Sequence, residues 1–285
     1  MSAEEHPVEY LALEALEDEF EDVEVEILRK QHELTKNLYV KRQAVIDKIP
    51  GFWPLVIEQS PPEIDEYIQP TDAALFMTSL TNLHVERHEM PNGDPRSVRI
   101  TFTFSENDHF ENKTLTKEFN WRNAKDGSSG YVSVPVEIQW KEGKDLTNGM
   151  LDLVSKVYKE DAADSDNKKK LKELIEETGL DGLSFFSWFG YHGAKITDAE
   201  HQEATKKLEE VRALRKAGKA PEETDMDEDE DEDEDWEICP GADDVAVCIA
   251  EDLWPGAIKY FMNAQEGDSF SDMDFEDASD EEMEE

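Results

Sequence analysis

The N-terminal part of the chain has the pattern of one unusually long helix. From Val8 to Lys48 there is no proline or glycine, and apolar residues recur at intervals of three and four. Such a helix would be about 60 Å long, since each residue adds about 1.5 Å. Its apolar stripe consists of Leu13, Leu16, Phe20, Val23, Ile27, Leu34, Leu38 and Val45.

The opposite face of this helix is filled with charged residues, so a single copy would leave its apolar stripe in water. A compact domain built from the rest of the chain could not cover the stripe over its whole length. Pairing with a second copy would bury it, and we therefore predict a homodimer formed through these eight residues. The alternative is a helix that folds back on its own domain.

The next part of the chain changes to a period of two, which is typical of strands. Four consecutive strands are predicted around residues 83–85, 98–104, 115–121 and 132–140, with Gly-, Pro- and Asp-containing turns between the first and the last pair. Helical periodicity returns over 145–159, 168–177, 198–216 and 243–262. The predicted class is α+β, with a four-stranded antiparallel sheet backed by helices.

Charge divides the chain further. There are 71 acidic and 29 basic residues, a net charge of −42, and 24 of the acids lie in two segments that contain no base, 222–237 and 264–285. Segments of this composition repel themselves and cannot bury a core, so we expect both to be disordered. The predicted organisation is a dimerisation helix (1–49), an α+β domain (50–263) carrying the acidic insert 222–237, and an acidic tail (264–285).

The charge also restricts the partners. Without the two acidic segments the chain still carries −18, which disfavours contact with nucleic-acid phosphates and favours a basic macromolecule. We expect no direct specific DNA binding. We also expect no membrane insertion, because no apolar run approaches eighteen residues.

The sequence contains no catalytic or metal-binding pattern that withstands inspection. Nucleotide-binding, zinc-protease and serine-hydrolase motifs are absent. The acidic insert imitates a calcium loop, but Glu230 stands where that loop needs glycine and Trp236 where it needs a bidentate glutamate. His84 and His88 are four residues apart, but the sequence suggests no third metal ligand near them. We expect no enzyme activity, no metal site and no cofactor.

Several segments together have a more specific pattern. In chain order they are Lys41-Arg42 with IPGFW at 49–53, FENK at 110–113 with KEF at 117–119, IQWK at 138–141 with GKDLT at 143–147, SFFSWF at 184–189, and DLWP at 252–255 with YF at 260–261. This set resembles the nucleosome assembly protein family of histone chaperones, in the branch named SET or template-activating factor I. The resemblance implies a long helix that dimerises antiparallel, a four-stranded sheet backed by helices, and an acidic tail.

For function, the resemblance implies an ATP-independent histone chaperone that promotes nucleosome assembly and disassembly. It implies a nuclear protein that binds core histones, with the H3–H4 pair favoured, on an acidic concave surface of the dimer. The other core-histone pair and shuttling to the cytoplasm stay open. By position, the resemblance implies Ser187, Asp198 and Glu200 as histone contacts. The branch has a threonine where this chain has Gly190, so that side-chain contact is expected to be missing.

The acidic tail alternates carboxylates with aromatic rings. Aromatic residues amid acids suggest anchors for apolar hollows on a basic partner, so we predict further histone contacts in the tail. They are Phe270, Asp272, Asp274, Phe275, Glu276 and Asp277. The alternative is that this alternation is incidental.

Three further readings of the sequence stay open. Lys168, Lys169 and Lys170 are either a nuclear import signal or the solvated side of a helix. The chain as a whole could instead be an acidic regulator that inhibits a phosphatase or histone acetyltransferase, or presents substrate to it. A polyanion that buffers metal ions would need only the two acidic segments.

Overall fold

The computed structural model describes residues 7–160, 165–180, 182–220 and 236–266. A long helix, α1 (Pro7–Ile46), is followed by α2 (Phe52–Glu58), α3 (Pro62–Asp65) and α4 (Pro70–Ser79). Four strands come next, β1 (Leu80–Glu86), β2 (Val98–Phe104), β3 (Thr114–Asn123) and β4 (Ser129–Val132). They form one antiparallel sheet in the order β1-β2-β3-β4. The predicted fold class is therefore confirmed.

The second half of the domain is helical. It contains α5 (Met150–Glu160), α6 (Asp166–Thr178), a 3₁₀ helix (Phe185–Gly190), α7 (Asp198–Lys216) and α8 (Ala242–Cys248). A π-helical turn (Ile249–Leu253) leads to the last helix, α9, over residues 257–266. The single helix predicted over 243–262 is thus interrupted, since Pro255 lies in the turn between the two helices and cannot continue a helix. Among the helices described, none is long and apolar enough to cross a membrane.

The core lies on one face of the sheet. Alternate residues of β2 and β3 are buried there, including Phe102 and Phe119. Phe185, Phe186, Trp188 and Phe189 of the 3₁₀ helix pack against them, all buried, and the Trp188 ring centre lies 5.2 Å from that of Phe119. The aromatic rings of this segment are therefore part of the core and are not available as a stacking surface.

The fourth strand is shorter than predicted. Pairing with β3 ends at Val132, and Trp140 forms an isolated bridge with Phe110. Beyond Val132 the backbone bonds elsewhere: the Ser133 amide donates to the His192 carbonyl, and the Val136 amide donates to the Phe189 carbonyl. Val136 and Ile138 pack into the core, whereas Val134 is 57% exposed, so the alternating pattern of this segment does not mark a longer strand.

A buried lysine joins these segments. Lys117 points from β3 into the core, and its ammonium donates to the carbonyls of Val134 (2.8 Å), Phe189 (3.1 Å) and Tyr191. An ammonium carries three donors, so the three carbonyls satisfy it completely. Burial lowers the pKa of Lys117 to about 7, since a charged group is costly to desolvate. Lys117 lies within the strand predicted around 115–121, but its polar cage is formed by segments that are distant in the sequence.

The two ends of α1 are held differently. At its C-terminal end Ile46 belongs to the core, and the Arg42 guanidinium lies over the Trp254 ring (4.3 Å) and donates to the Trp254 and Pro255 carbonyls. Burial lowers the pKa of Arg42 to about 10. The Trp254 indole in turn donates to the Leu83 carbonyl of β1 (3.0 Å). The end of the helix is therefore part of the α+β domain and not a separate unit.

The apolar stripe of α1 remains uncovered in the single chain. All eight stripe residues are exposed, by 51% to 65% of their surface. The alternative in which the helix folds back and buries this stripe on its own domain is therefore wrong.

The boundaries of the acidic segments need correction. Trp236 and Glu237 were assigned to a solvated insert, yet Trp236 is buried against α5 and α6 and Glu237 is largely covered. Folded chain therefore resumes by residue 236, because Trp236 and the following Ile238 carry apolar surface to bury. At the other end α9 extends to residue 266, and its Ala264 is buried, although the tail was predicted to begin there.

Replacing Lys117 with methionine should destabilise the domain. Methionine matches the length of lysine but donates nothing, so three buried carbonyls would lose their donor, and we expect the free energy of unfolding to fall by about 3 kcal/mol. Urea denaturation at fixed protein concentration measures this. Lys113→Met, at an exposed position just before β3, is the matched control and should change stability by less than about 0.5 kcal/mol. Equal stability of the two variants would contradict the role of the cage.

Candidate functional site

A buried aspartate positions the aromatic segment. Asp72, in the first turn of α4, accepts hydrogen bonds from the Ser184 hydroxyl (2.6 Å), the Phe185 amide (2.7 Å) and the Gln69 amide (3.0 Å). Burial raises the pKa of Asp72, while these three bonds favour its ionised form. The carboxylate thus links the start of the 3₁₀ helix to α4, whereas Lys117 bonds to the end of the same helix.

Ser187 does not reach the surface. It was implied as a histone contact, but it is 1% exposed and belongs to a helical turn whose six residues are all buried. Its side chain can support a neighbouring surface but cannot touch a partner in this conformation. Ser187 is therefore a buried core residue and not the surface contact that the resemblance implied.

Gly190 makes room for a residue from beyond the acidic insert. A Cβ atom at this position would lie 2.9 Å from Cδ1 and 3.1 Å from Cγ1 of Ile238. Real Cβ contacts are essentially never that short, so a larger side chain would displace Ile238. The absence of the threonine that the resemblance led us to expect thus has a structural reason, since this chain fills that space with Ile238.

The residues that follow the acidic insert are anchored by a polar and aromatic cluster. The Trp236 ring stacks on His192 with centres 4.0 Å apart, and the His192 Nε2 atom lies 3.6 Å from the Glu237 carboxylate. Burial raises the pKa of Glu237 to about 7, and Lys117 acts in the opposite direction. The folded segment after the insert is therefore fixed to the aromatic segment and the Lys117 cage, which places one end of the insert beside them.

Asp198 and Glu200 lie together at the start of α7 but differ in availability. Asp198 is 88% exposed, and its nearest base, Arg122, is 3.8 Å away and already bonded to Glu89 at 2.8 Å. Its charge is therefore open to a partner. Glu200 instead closes a capping box with Thr197 and pairs with Lys125 at 3.0 Å. Bonds from Thr197 and Lys125 lower the pKa of Glu200 to about 2.

The remaining predicted contacts lie outside the described residues. These are Phe270, Asp272, Asp274, Phe275, Glu276 and Asp277. Of the three implied contacts in the folded domain, the structure therefore leaves Asp198 open, commits Glu200 to the helix cap and buries Ser187.

The two histidines considered as possible metal ligands, His84 and His88, lie in different surroundings. His84 is exposed, and His88 shares a hydrogen bond with the Asn120 side chain (2.9 Å). Within the described part of the chain, no three His, Cys, Asp or Glu side chains are placed to hold a metal ion. Lys168 is buried on α6, so the lysine cluster is not simply one solvated side of a helix.

Comparison with known proteins decides the family. The family model described as Nucleosome assembly protein (NAP) matches residues 12–264, which include the sheet and most of α1 and α9. The chain belongs to the nucleosome assembly protein family. This membership, and not a missing catalytic motif, supports the expectation that the chain is not an enzyme.

Individual relatives agree with this family. A protein of Schizosaccharomyces pombe named as a nucleosome assembly protein is 40% identical over 141 residues, which are 46% of this chain and 57%, less than two thirds, of that protein. Protein SET of Drosophila melanogaster is 27% identical over 253 residues, covering 88% of this chain and 69% of that protein. The crystal structure of Vps75 superimposes with a TM-score of 0.57 at 25% identity, covering 91% of this chain and 100% of that chain.

The sequence analysis missed three residues that position the aromatic segment and the chain after the insert, namely Asp72, Trp236 and Ile238. The sequence analysis did not single out Asp72. Its signal was the spacing of Gln69, Pro70 and Asp72 at a helix start, which fits a capping box between Gln69 and Asp72. Trp236 was placed in the acidic insert, and Ile238, just after the insert, was not singled out. The available signal was the return of apolar residues directly after the uninterrupted acidic run 227–235.

Gly190→Thr should destabilise the domain by about 1–3 kcal/mol, because overpacking forces Ile238 to move. Ile238→Val removes the Cδ1 atom that the new side chain would meet, so the double variant should lose less stability than the sum of the two single variants. Thermal or urea unfolding of all four proteins measures the coupling. Strict additivity would show that Gly190 and Ile238 do not share this space.

Proposed function

We propose that this protein is an ATP-independent histone chaperone that binds core histones, with the H3–H4 pair favoured, and promotes nucleosome assembly and disassembly in the nucleus. The observation that carries the proposal is the match of the family model over residues 12–264. The net charge of −42 supports it, since a strongly basic partner would find a surplus of carboxylates on this chain.

The charge explains how such a chaperone would work. Histones are basic and collapse onto DNA without order, so a chaperone must offer carboxylates that compete with phosphates and still release the histone. Electrostatic contacts between exposed groups are individually weak and exchange quickly. Asp198, exposed and incompletely neutralised, is the contact in the folded domain that we retain. The acidic tail and insert would add long-range attraction.

We further propose that the working unit is a homodimer through α1. The stripe is exposed along a helix of 40 residues, and the chain's own domain packs against other faces of that helix. A second α1 is a partner of equal length with an equal stripe, and an antiparallel arrangement would place one domain at each end. The two domains would then flank a shared surface on which a histone pair could lie.

Phe20→Glu together with Ile27→Glu should convert the dimer to monomers or aggregates, because two charges per helix would enter an apolar seam. Light scattering coupled to size-exclusion chromatography measures the mass. The control is Val40→Glu, a valine that is 69% exposed on the same helix but lies outside the stripe, and it should leave the dimer intact. A well-folded dimer of the double variant would contradict the assignment of the seam.

Removing the acidic segments should weaken histone binding without abolishing it. One variant ends at Glu266, which preserves α9, and another replaces the acids in 222–235 with serine, which preserves the buried Trp236. We expect each to lose affinity on the order of tenfold, about 1.4 kcal/mol, and to depend less steeply on salt. Fluorescence titration with each of the two core-histone pairs, at several salt concentrations, measures both quantities.

A charge-preserving control separates anchors from electrostatics. Phe270→Ser with Phe275→Ser keeps every carboxylate, so it should weaken binding while leaving the salt dependence unchanged. Lack of binding by the wild type to either histone pair at moderate salt would overturn the proposed function. Tighter binding of the other pair would overturn the H3–H4 preference, and complete loss on removing both acidic segments would exclude Asp198 and its surroundings as a contact surface.

A further inference from the structure

The basic end of α7 lies across the N-terminal half of α1. Arg212 contacts Asp18 (3.4 Å), Asp22 (3.0 Å) and Glu21, Arg215 contacts Glu14 (3.1 Å) and Asp18 (3.3 Å), and Lys216 contacts Glu19 (3.2 Å). Three cations of one helix thus meet five carboxylates of the other. The two helices are far apart in the sequence, so this contact fixes a long-range geometry.

Two acids form the centre of the network. Asp18 bridges Arg212 and Arg215, and its side chain is only 16% exposed. Glu21 is shared between Arg212 and Arg96, whose Nη1 atom lies 2.7 Å away and which belongs to the connection between β1 and β2. The N-terminal half of α1 is therefore tied to α7 and to the sheet at the same place.

The other end of α7 is fixed by different forces. The Asn123 amide at the end of β3 donates to Nδ1 of His201 (2.9 Å), and the Asn123 side chain donates to the Thr205 hydroxyl (3.0 Å). Ala204 between them is buried. This end is held by packing and by neutral hydrogen bonds, which salt does not screen, and in addition by the Lys125–Glu200 pair (3.0 Å) and the longer Arg122–Asp198 pair (3.8 Å). The packing and the hydrogen bonds would remain at high salt.

The contact between α7 and α1, in contrast, is loosely packed. A cavity of about 300 Å³ remains between the two helices, beside Ala15 and Arg215. Asp18, at the centre of the contact, lies opposite the apolar stripe, since Asp18 and Ile27 are nine residues, or two and a half turns, apart. The end of α7 approaches the stripe only near Leu16, which remains 51% exposed. The contact therefore depends on ion pairs and leaves the stripe residues exposed.

We propose that α7 is an ionic clamp that holds the N-terminal half of α1 against the sheet, and that a polybasic polypeptide opens the clamp by competing for the same α1 carboxylates. A chain rich in lysine and arginine can replace several weak pairs at once, whereas the anchored start of α7 keeps the helix attached. Opening would release the N-terminal half of α1 from α7, whereas Arg96 and the buried C-terminal end would still join α1 to the domain. The role of the polybasic ligand rests on the proposed function.

Hydrogen exchange measured by mass spectrometry tests the clamp in the full chain. Raising salt from 0.1 to 1 M shortens the screening length from about 10 to about 3 Å, so amides of residues 208–216 should exchange several-fold faster. Residues 199–206, held by Asn123, should change little and serve as an internal control. A twelve-residue polyarginine peptide should produce the same localised change at low salt.

Two variants of equal charge give the decisive comparison. Arg212→Ala with Arg215→Ala and Lys216→Ala should show fast exchange over 208–216 at low salt and no further response to salt or peptide. Lys113→Ala with Lys144→Ala and Lys156→Ala removes the same charge at exposed positions away from α1, and it should respond like the wild type.

The outcomes separate this inference from the proposed function. Exchange over 208–216 that is insensitive to salt would overturn the clamp whatever the chain binds. Opening by salt but not by the peptide would overturn the competition. Failure to bind histones in the titrations described above would remove the proposed function, while the response to salt would still decide whether α7 is a clamp.

Discussion

The structure depends on one helix whose faces have different chemistry. Helix α1 is too long for its own domain to surround, so its end and its two faces depend on different contacts. The C-terminal end enters the core through Ile46 and through Arg42, which lies between aromatic rings. The acidic face of the N-terminal half pairs with Arg212 and Arg215 of α7 and with Arg96 of the connection between β1 and β2. The apolar face has eight exposed hydrophobic side chains, which are unfavourable in water, and this is the face that the proposed dimer would bury.

The domain attached to this helix is organised around two buried charges. Lys117 connects β3 to the extended segment after β4 and to the end of the aromatic segment, while Asp72 connects α4 to the start of the same segment. Each charge is tolerated inside the core because its hydrogen-bonding capacity is met. Together they fix the aromatic segment at both ends, and the aromatic rings between them fill the core above the sheet.

This arrangement also explains how the chain accommodates its acidic insert. On one side α7 ends on α1, and on the other Trp236, Glu237 and Ile238 are packed beside the aromatic segment. The space for Ile238 exists because residue 190 is glycine. The glycine at position 190 and the packing of Ile238 after the insert are therefore parts of the same structural feature.

The sequence by itself determined the long helix, the order of the four strands, the α+β class and the family, because these depend on periodicity, turn residues and short motifs that are local. It also predicted the apolar stripe of α1, since amphipathicity is a property of one helix. Only the tertiary structure decided that Ser187 is buried, that Glu200 closes a helix cap and that Lys117 donates to three carbonyls. The same holds for the end of β4 and for the contact of α7 with α1. These features depend on which segments, distant in the sequence, come into contact. The residues next to a polar side chain in the sequence therefore do not determine whether it is buried or which groups it bonds to.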